Sequence, residues 1–187
     1  WGIFLIIVLF ILYLLSFTNK NTFFMSILFG LMIILYPLTK RFFLGPQLFL
    51  GLTFNPVIIV YTMTNELSNQ SMIFLYFSIA AMTVAFDSFY GLCDIEDDKK
   101  LGINSTPLWW GERTLLLISI FQCLAIVLLF FVGMKSELND LWFVGIILLS
   151  GFYFYQHFLA AQKKFLSAFK NNHWALLYLL TLSIFSF

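Results

Sequence analysis

TLLLISIFQCLAIVLLFFVG, residues 114–133, is a run of twenty residues without one charged side chain. A helix needs about 20 predominantly apolar residues to cross the hydrocarbon core of a bilayer. Working outward, six other stretches have the same character, which gives seven candidate spans: 1–17, 23–39, 44–63, 71–93, 114–133, 141–160 and 174–187. The sequence therefore predicts an all-α, polytopic transmembrane helical bundle.

The composition supports the bilayer as the solvent. Of the 187 residues, 61% are hydrophobic, 20% aromatic and only 10% charged, and the mean hydropathy is +0.96. A soluble domain cannot cover that much apolar surface. A net charge of +1 gives no basic field for a nucleic acid, so that class of partner is excluded. Cys93 and Cys123 lack the spacing of metal ligands and give no support for a zinc site or a disulfide framework.

The basic residues are distributed unequally between the two sides of the membrane. Loops between successive spans must alternate in side, and Lys20 and Lys135 fall on one side. The opposite side receives the other eight of the ten basic residues: Lys40, Arg41, Lys99, Lys100, Arg113, Lys163, Lys164 and Lys170. By the positive-inside rule this richer side faces the cytoplasm, or the matrix of an organelle.

An acidic segment, DIEDD at residues 94–98, follows directly after the fourth span. If the helix continues through it, Asp87, Asp94 and Asp98 share one face, since steps of seven and four residues return to nearly the same angle. Clustered carboxylates repel each other unless a cation compensates, and such oxygen ligands suit Mg²⁺, which recruits phosphate. The acidic residues between Asp94 and Asp98 fit a solvated helix end equally well. Asp87 lies inside a span, where a charge is costly and usually functional.

A second polar group, YPLTKR at residues 36–41, closes the second span on the same side. Tyr36 and Lys40 are four residues apart, which on a helix places a phenol beside an ammonium as a clamp for a phosphate oxygen, although Pro37 can distort the turn. The alternative is that Lys40 and Arg41 only anchor the span by snorkelling. Spacing alone favours that alternative, whereas the nearby acidic segment favours a shared site.

Other polar residues have simpler interpretations. Satisfied interhelical hydrogen bonds account for Asn55, Gln122, Gln156 and His157. The stretch 94–113 is the one long irregular loop, and Pro107 after a Ser-Thr pair predicts a turn leading into a short interfacial helix. Together, the residues predict an apolar bundle whose cytoplasmic mouth binds Mg²⁺ and an anion, as suits an amphiphile with a diphosphate head.

At these residues the sequence resembles the UbiA family of intramembrane prenyltransferases, and most closely its 4-hydroxybenzoate polyprenyltransferase branch. The stretches that carry the resemblance are 36–41 with 46–51, 87–90 and 94–98 with their continuation 100–106, and 168–172 before the last span. The match covers nearly the whole chain, and the second aspartate-rich motif with its continuation is highly specific.

The resemblance implies a role for each matching residue. Asp94 and Asp98 are expected to bind the diphosphate through Mg²⁺ and, with Asp87, to form the catalytic group. Asp87 and Tyr90 are expected to line the cavity, and Asn104 stands where many relatives carry a basic residue. Three further residues are expected near the phosphates: Tyr36, Lys40 and Lys100.

The implied reaction is Mg²⁺-dependent transfer of a polyprenyl group from polyprenyl diphosphate to the ring of 4-hydroxybenzoate in ubiquinone biosynthesis. The expected partners are these two substrates and membrane lipid, and the expected location is the bacterial or mitochondrial inner membrane. Two classes of alternative stay open. One is another aromatic or haem acceptor within the same family, and the other is a transporter using Asp87 in an ion path or a non-catalytic scaffold.

The resemblance also implies nine spans and a first aspartate-rich motif with neighbouring arginines. Seven spans are found, the chain begins at Trp1 rather than Met, and no first motif is present. We therefore expect residues 1–187 to form one transmembrane prenyltransferase domain that lacks its N-terminal pair of helices. We expect this piece to be inactive by itself.

Overall fold

A computed structural model describes residues 2–64 and 68–186. Trp1 and Phe187, at the ends of the first and seventh predicted spans, and residues 65–67 of a predicted loop lie outside the described residues. The part described contains α-helices and one 3-10 turn at Gly111–Arg113, and no strand. The helices are α1 (Gly2–Leu15), α2 (Lys20–Thr39), α3 (Pro46–Thr53), α4 (Val57–Thr64), α5 (Asn69–Cys93), α6 (Ile95–Leu101), α7 (Thr106–Trp110), α8 (Thr114–Lys135), α9 (Asp140–Ala161) and α10 (Phe165–Ser186).

Five helical segments among the described residues are long and apolar enough to cross a membrane: α2, α3 with α4, α5, the segment Thr106–Lys135 that contains α8, and α9. The first and last predicted spans are not among them. α1 has only 14 residues, and α10 carries four consecutive polar residues at 170–173. The expectation of an all-α polytopic bundle is confirmed.

Four helices, α5, α8, α9 and α10, form the centre of the bundle. α5 lies along α8, and α10 packs against both α9 and α5. Leu129, Ile146 and Leu149 are fully buried where these helices meet. Gly145 has no side chain, and this allows α9 and α10 to approach closely. A Cβ at that position would lie only 2.3 Å from the Leu182 side chain. Dispersion contacts of this density hold helices together in a bilayer, where burial of apolar surface gives little gain.

Large apolar side chains, whose exposure to water would be unfavourable, cover the outside of the bundle. α2 packs against α3 and α4, and α1 packs against α2. Ile3 and Ile34 are examples from these two helices, with 77% and 70% of their surfaces exposed. Such a surface is suited to lipid tails.

The third predicted span, 44–63, is not one helix, which corrects the sequence expectation. α3 ends at Thr53 and α4 begins at Val57. Pro56 has no N–H to donate and disfavours helical geometry at the residue before it. Asn55 compensates, because its side-chain amide donates to the Tyr76 carbonyl at 2.7 Å and its Oδ1 accepts from Val57 N–H. Asn55 thus makes the interhelical bond expected of it.

The last helix also differs from expectation, since α10 begins at Phe165 rather than near residue 174. The predicted loop 162–173 shrinks to a turn at 162–164, in which Lys163 has φ +59°. A hydropathy pattern indicates which residues lie in the hydrocarbon core of the membrane. It does not show whether the helix continues outside that core. The short helix expected after the Ser-Thr pair is confirmed, because α7 begins at Thr106 with Pro107 in its first turn.

Two backbone bonds identify the two ends of the bundle. Asn104 N–H donates to the Lys40 carbonyl at 2.7 Å, which joins the loop after α6 to the end of α2. Asn139 N–H donates to the Ser186 carbonyl at the opposite end. We call the end that contains Lys40, Asp94 and the α9–α10 turn the mouth end.

Candidate functional site

The acidic segment lies at a bend between two helices. α5 ends at Cys93, Asp94 has φ −97° and ψ 3°, and α6 begins at Ile95. The helix therefore does not continue through the acidic segment, so the shared face that a continuous helix would give Asp87, Asp94 and Asp98 does not apply. α6 ends at Leu101 and is followed by Gly102, whose φ of +63° favours a residue without a Cβ.

Asp87 is partly buried on α5, one to two turns before the bend. Its carboxyl lies near the Gln47 side chain and within electrostatic range of Lys40 and Asp94. Thus the residues that follow α2 and α5, together with the first turn of α3, surround this carboxyl. The structure brings together three of the residues predicted from the sequence: Lys40, Asp87 and Asp94.

Two tyrosines lie beside this acidic cluster. The Tyr36 hydroxyl, half-buried on α2, lies within electrostatic range of Asp87 and Asp98. The Tyr90 hydroxyl lies near the Asp94 carboxyl, and its ring lies 5.1 Å from that of Phe169 on α10. A phenol can donate to a phosphate oxygen as readily as to a carboxylate. Both tyrosines therefore lie beside the acidic cluster, and their roles at a phosphate stay a prediction.

The members of the acidic segment have different environments. The Asp98 side chain is buried, with 5% of its surface exposed, whereas Glu96 and Asp97 are exposed. Asp97 forms an ion pair with Lys100 at 3.2 Å, and the two side chains are 75% and 71% exposed. Lys100 is thus held outside the cluster. A solvated helix end accounts for Asp97 and Glu96.

Asp98 makes no ion pair with any residue in the described ranges, where Lys100–Asp97 is the sole pair. The described residues contain no group of three or more His, Cys, Asp or Glu able to hold a metal ion by themselves. Mg²⁺ commonly binds through one or two carboxylates and completes its shell with water and substrate phosphates. Asp94 and Asp98 are hard oxygen donors at the mouth of an apolar bundle, so the donor set fits that kind of site.

Two residues of the site were missed by the sequence interpretation. Gln47 and Thr106 are buried, and they form a reciprocal pair: Thr106 N–H donates to Gln47 Oε1 at 2.7 Å, and Gln47 N–H donates to Thr106 Oγ1 at 3.2 Å. Gln47 therefore fixes α7 and supports Asp87. A Gln in the first turn of an apolar span, directly after Pro46, was the available signal.

The other polar residues pair within the bundle as predicted. The Gln122 amide donates to Gln156 Oε1 at 2.7 Å, and the Gln156 amide donates to Asn171 and Asn172. His157 Nε2 lies 2.9 Å from Gln122 Oε1, which joins α8, α9 and α10 in one polar chain. These contacts confirm the interpretation as interhelical hydrogen bonds. Both cysteines, Cys93 and Cys123, are free and exposed.

Comparison with known proteins agrees with the resemblance seen in the sequence. The profile of the UbiA prenyltransferase family matches residues 1–183. A 4-hydroxybenzoate octaprenyltransferase from Alcanivorax borkumensis is 38% identical over 164 residues, which are 85% of this chain and 56% of that protein. The protein of the same name from Marinobacter nauticus is 33% identical over 164 residues, 85% of this chain and 55% of that protein. The chain thus spans about half the length of these curated relatives.

A solved structure gives the same fold. The apo structure of a UbiA homolog from Aeropyrum pernix K1 superposes with a TM-score of 0.78 and 19% sequence identity. The match covers 92% of this chain and 66% of that chain. At this identity the likeness concerns the fold, and it supports the arrangement of helices around the mouth end.

Proposed function

Since the chain belongs to the UbiA prenyltransferase family, we propose that the protein transfers a polyprenyl group from polyprenyl diphosphate to the ring of 4-hydroxybenzoate, in ubiquinone biosynthesis. The observation that carries the proposal is one cluster at the mouth end of an apolar bundle: Tyr36, Lys40, Asp87, Asp94 and Asp98. The choice of a polyprenyl donor and of 4-hydroxybenzoate as the acceptor rests on the names of the relatives.

In this proposal the diphosphate head binds at the mouth end. Asp94 and Asp98 would hold Mg²⁺, which supplies positive charge for a leaving diphosphate. The Lys40 ammonium and the Tyr36 hydroxyl contact phosphate oxygens. Attraction between Lys40 and the partly buried Asp87 keeps the ammonium at the mouth, and Gln47 orients the Asp87 carboxyl.

The reaction exchanges a carbon–oxygen bond for a carbon–carbon bond. The bond between the allylic carbon and the diphosphate breaks, and the ring carbon ortho to the phenol attacks the allylic cation. A base then removes the ring proton, and the electron pair of the broken C–H bond restores aromaticity. Lys40 and Tyr36 stabilise the negative charge that grows on the departing diphosphate, and stabilisation of developing charge by fixed donors is usually the largest single contribution to catalysis. Aromatic side chains such as Phe169 exclude water from the cation.

The protein is an integral membrane protein, and we propose which side of the membrane the mouth end faces. The mouth end carries eight of the ten basic residues. Under the positive-inside rule the mouth end faces the cytoplasm in a bacterial inner membrane, or the matrix in a mitochondrial inner membrane. Polyprenyl diphosphate would enter with its tail among the apolar helices.

The test is prenyl transfer in membranes of cells that express the complete gene. Radiolabelled 4-hydroxybenzoate should become lipid-soluble only when polyprenyl diphosphate and Mg²⁺ are both present, and EDTA should abolish the product. Transfer to haem or to another phenol, with none to 4-hydroxybenzoate, would refute the proposed acceptor. The assignment to the prenyltransferase family would still hold. Label incorporation in EDTA equal to that in Mg²⁺ would refute the metal assignment.

A matched pair of variants tests the site within the same assay. Asp98→Asn removes the charge of a buried carboxylate and should lower kcat/KM by about 100-fold or more, as loss of a charge-stabilising group typically does. Asp97→Asn removes an exposed carboxylate one residue away, and activity should stay within about twofold of wild type because exposed ion pairs contribute little. Equal losses in both variants would refute the distinction.

A further inference from the structure

A groove runs along the boundary between α9 and α10. Two adjoining cavities of about 660 and 300 Å³ form it, and they share Tyr155 and Asn171. Polar side chains line the larger cavity at the mouth end: Lys164, Ser167, Lys170, Asn171 and His173. The smaller cavity continues along α9 past Leu148, Gly151 and Phe152. We call this the α9–α10 groove.

The α9–α10 groove lies on the flank of α10 opposite to the acidic cluster. On one flank, Phe169 contacts the rings of Phe86 and Tyr90 beside the candidate site. Ala168 and Ala175 form the buried face between the flanks. By their helical positions, Ser167, Lys170, Asn171 and Trp174 lie on the remaining flank, whereas His173 lies one turn after Phe169. The groove is therefore separate from the site described above.

Positive charge in the α9–α10 groove is uncompensated. No acidic residue lines either cavity. The Lys164 ammonium bonds to Gln162 Oε1 at 2.8 Å, and neither Lys164 nor Lys170 belongs to the sole ion pair of the described ranges. The larger cavity also adjoins the first turns of α10, where the helix dipole favours an anion. An anion bound there would meet two ammonium groups and hydroxyl and amide donors.

The other end of the groove is suited to a hydrocarbon chain. Gly151 has no atom within 4 Å of the position that a Cβ would take, so the wall is open there. Leu148 and Phe152 flank it on the apolar surface of α9. Tyr155 and Trp174 stand between the two ends, and amphipathic rings of this kind collect at the headgroup level of a bilayer.

A basic cavity that continues into an apolar channel at a membrane surface fits an anionic amphiphile. We propose that the α9–α10 groove binds an anionic phospholipid of the surrounding membrane, with its phosphate at Lys164 and Lys170 and an acyl chain along Gly151. Basic pockets between transmembrane helices on the cytoplasmic or matrix side bind such headgroups. The polar chain from Asn171 to Gln156 and Gln122 connects the lipid site to the bundle interior.

Native mass spectrometry of the purified chain tests the proposal. The protein in detergent receives phosphatidylglycerol, phosphatidylcholine or free glycerol phosphate at equal concentration, and the bound adducts are counted. Phosphatidylglycerol should bind about tenfold more tightly than phosphatidylcholine, since two lysines near a membrane surface contribute roughly that factor or more. Equal binding of the two lipids would overturn the proposal. Glycerol phosphate binding as tightly as phosphatidylglycerol would overturn the acyl-chain part and leave a phosphate site.

Three variants locate the binding. Lys164→Gln with Lys170→Gln should abolish the preference for phosphatidylglycerol, whereas Lys163→Gln with Lys135→Gln removes the same charge outside the groove and should preserve it. Gly151→Leu fills the apolar channel without changing charge and should also reduce binding. Circular dichroism confirms that each variant is folded. Equal loss in both double variants, or full binding in Gly151→Leu, contradicts the assigned groove.

Discussion

Gln47 and Thr106 exchange two hydrogen bonds across 59 residues of sequence. Each donates its backbone N–H to the side-chain oxygen of the other, and both residues are buried. Because the Gln47 side chain also lies near the Asp87 carboxyl, this one residue connects α3, α7 and α5. The loop that follows the acidic segment therefore helps to set the position of a carboxylate inside a span.

Thr106→Val tests this connection. The substitution keeps the shape of the side chain and removes the hydroxyl that accepts from Gln47 N–H. A buried donor left without a partner costs about 1–3 kcal/mol. We expect the thermal unfolding midpoint, followed by circular dichroism in detergent, to fall in Thr106→Val and to stay close to wild type in Thr106→Ser. Identical midpoints for the two variants would argue against a structural role of the hydroxyl.

Gly51→Ala tests the contact between α3 and α5. A Cβ at Gly51 would lie 2.6 Å from the Ala80 carbonyl oxygen and 2.8 Å from Val84 Cγ2. Backbone cannot yield as a flexible side chain can, and overpacking costs about 1–3 kcal/mol. Gly30→Ala is the control, because nothing lies within 4 Å of its Cβ position on α2. The free energy of unfolding in detergent should fall in Gly51→Ala and stay at the wild-type value in Gly30→Ala. Equal free energies of unfolding in the two variants would contradict close helix packing at Gly51.

Tyr36→Phe tests the phenol beside the acidic cluster. The variant keeps the ring and loses the donor proposed to contact phosphate, and a hydrogen bond to a charged group is worth about 1.5–3 kcal/mol. We expect kcat/KM for prenyl transfer by the complete protein to fall about 10- to 100-fold, without loss of helicity. Tyr13→Phe, on exposed α1, should have wild-type kinetics. An unaltered kcat/KM in Tyr36→Phe would remove this residue from the site.

Gln156→Leu tests the polar chain through α8, α9 and α10. Gln156 is fully buried, and its side chain bonds to Gln122, Asn171 and Asn172. Interhelical hydrogen bonds in membranes average about 0.6 kcal/mol each, so their loss should destabilise the protein by about 2 kcal/mol. Gln70→Leu changes an exposed Gln at the start of α5 and should be neutral. The unfolding midpoints of Gln156→Leu and Gln70→Leu are compared in detergent. Equal shifts in the two variants would refute a stabilising role for the chain of polar side chains.

Much of this architecture could be predicted because long apolar runs report directly on membrane spans. The pairing of Gln122 with Gln156 was predictable for a related reason, since a polar group in hydrocarbon must find a partner. Hydropathy could not locate the start of α10, because Lys170 and His173 are polar and still helical. Asn55-Pro56 was a local signal for the break between α3 and α4, but a hydropathy average over the span conceals it.

The candidate site was predictable in its residues and less so in its geometry. Spacing suggested that Asp87 and Asp94 act together, and the structure places them within electrostatic range. The bend at Asp94 and the outward pairing of Lys100 depend on how α6 packs against other elements. Gln47 acquires its role only through contacts with Thr106, 59 residues later in the chain. Local sequence carries no information about such a partner.

The break between α3 and α4 has a consequence for how the chain enters the membrane. Each half has eight residues, or about 12 Å of helix, so neither half crosses the bilayer alone. The carbonyls of Leu52 and Tyr76 are paired through the Tyr76 hydroxyl and the Asn55 amide, and Tyr76 belongs to α5. A ribosome makes α3 and α4 before α5. The interrupted segment therefore gains these hydrogen-bond partners only after the next helix has been synthesised.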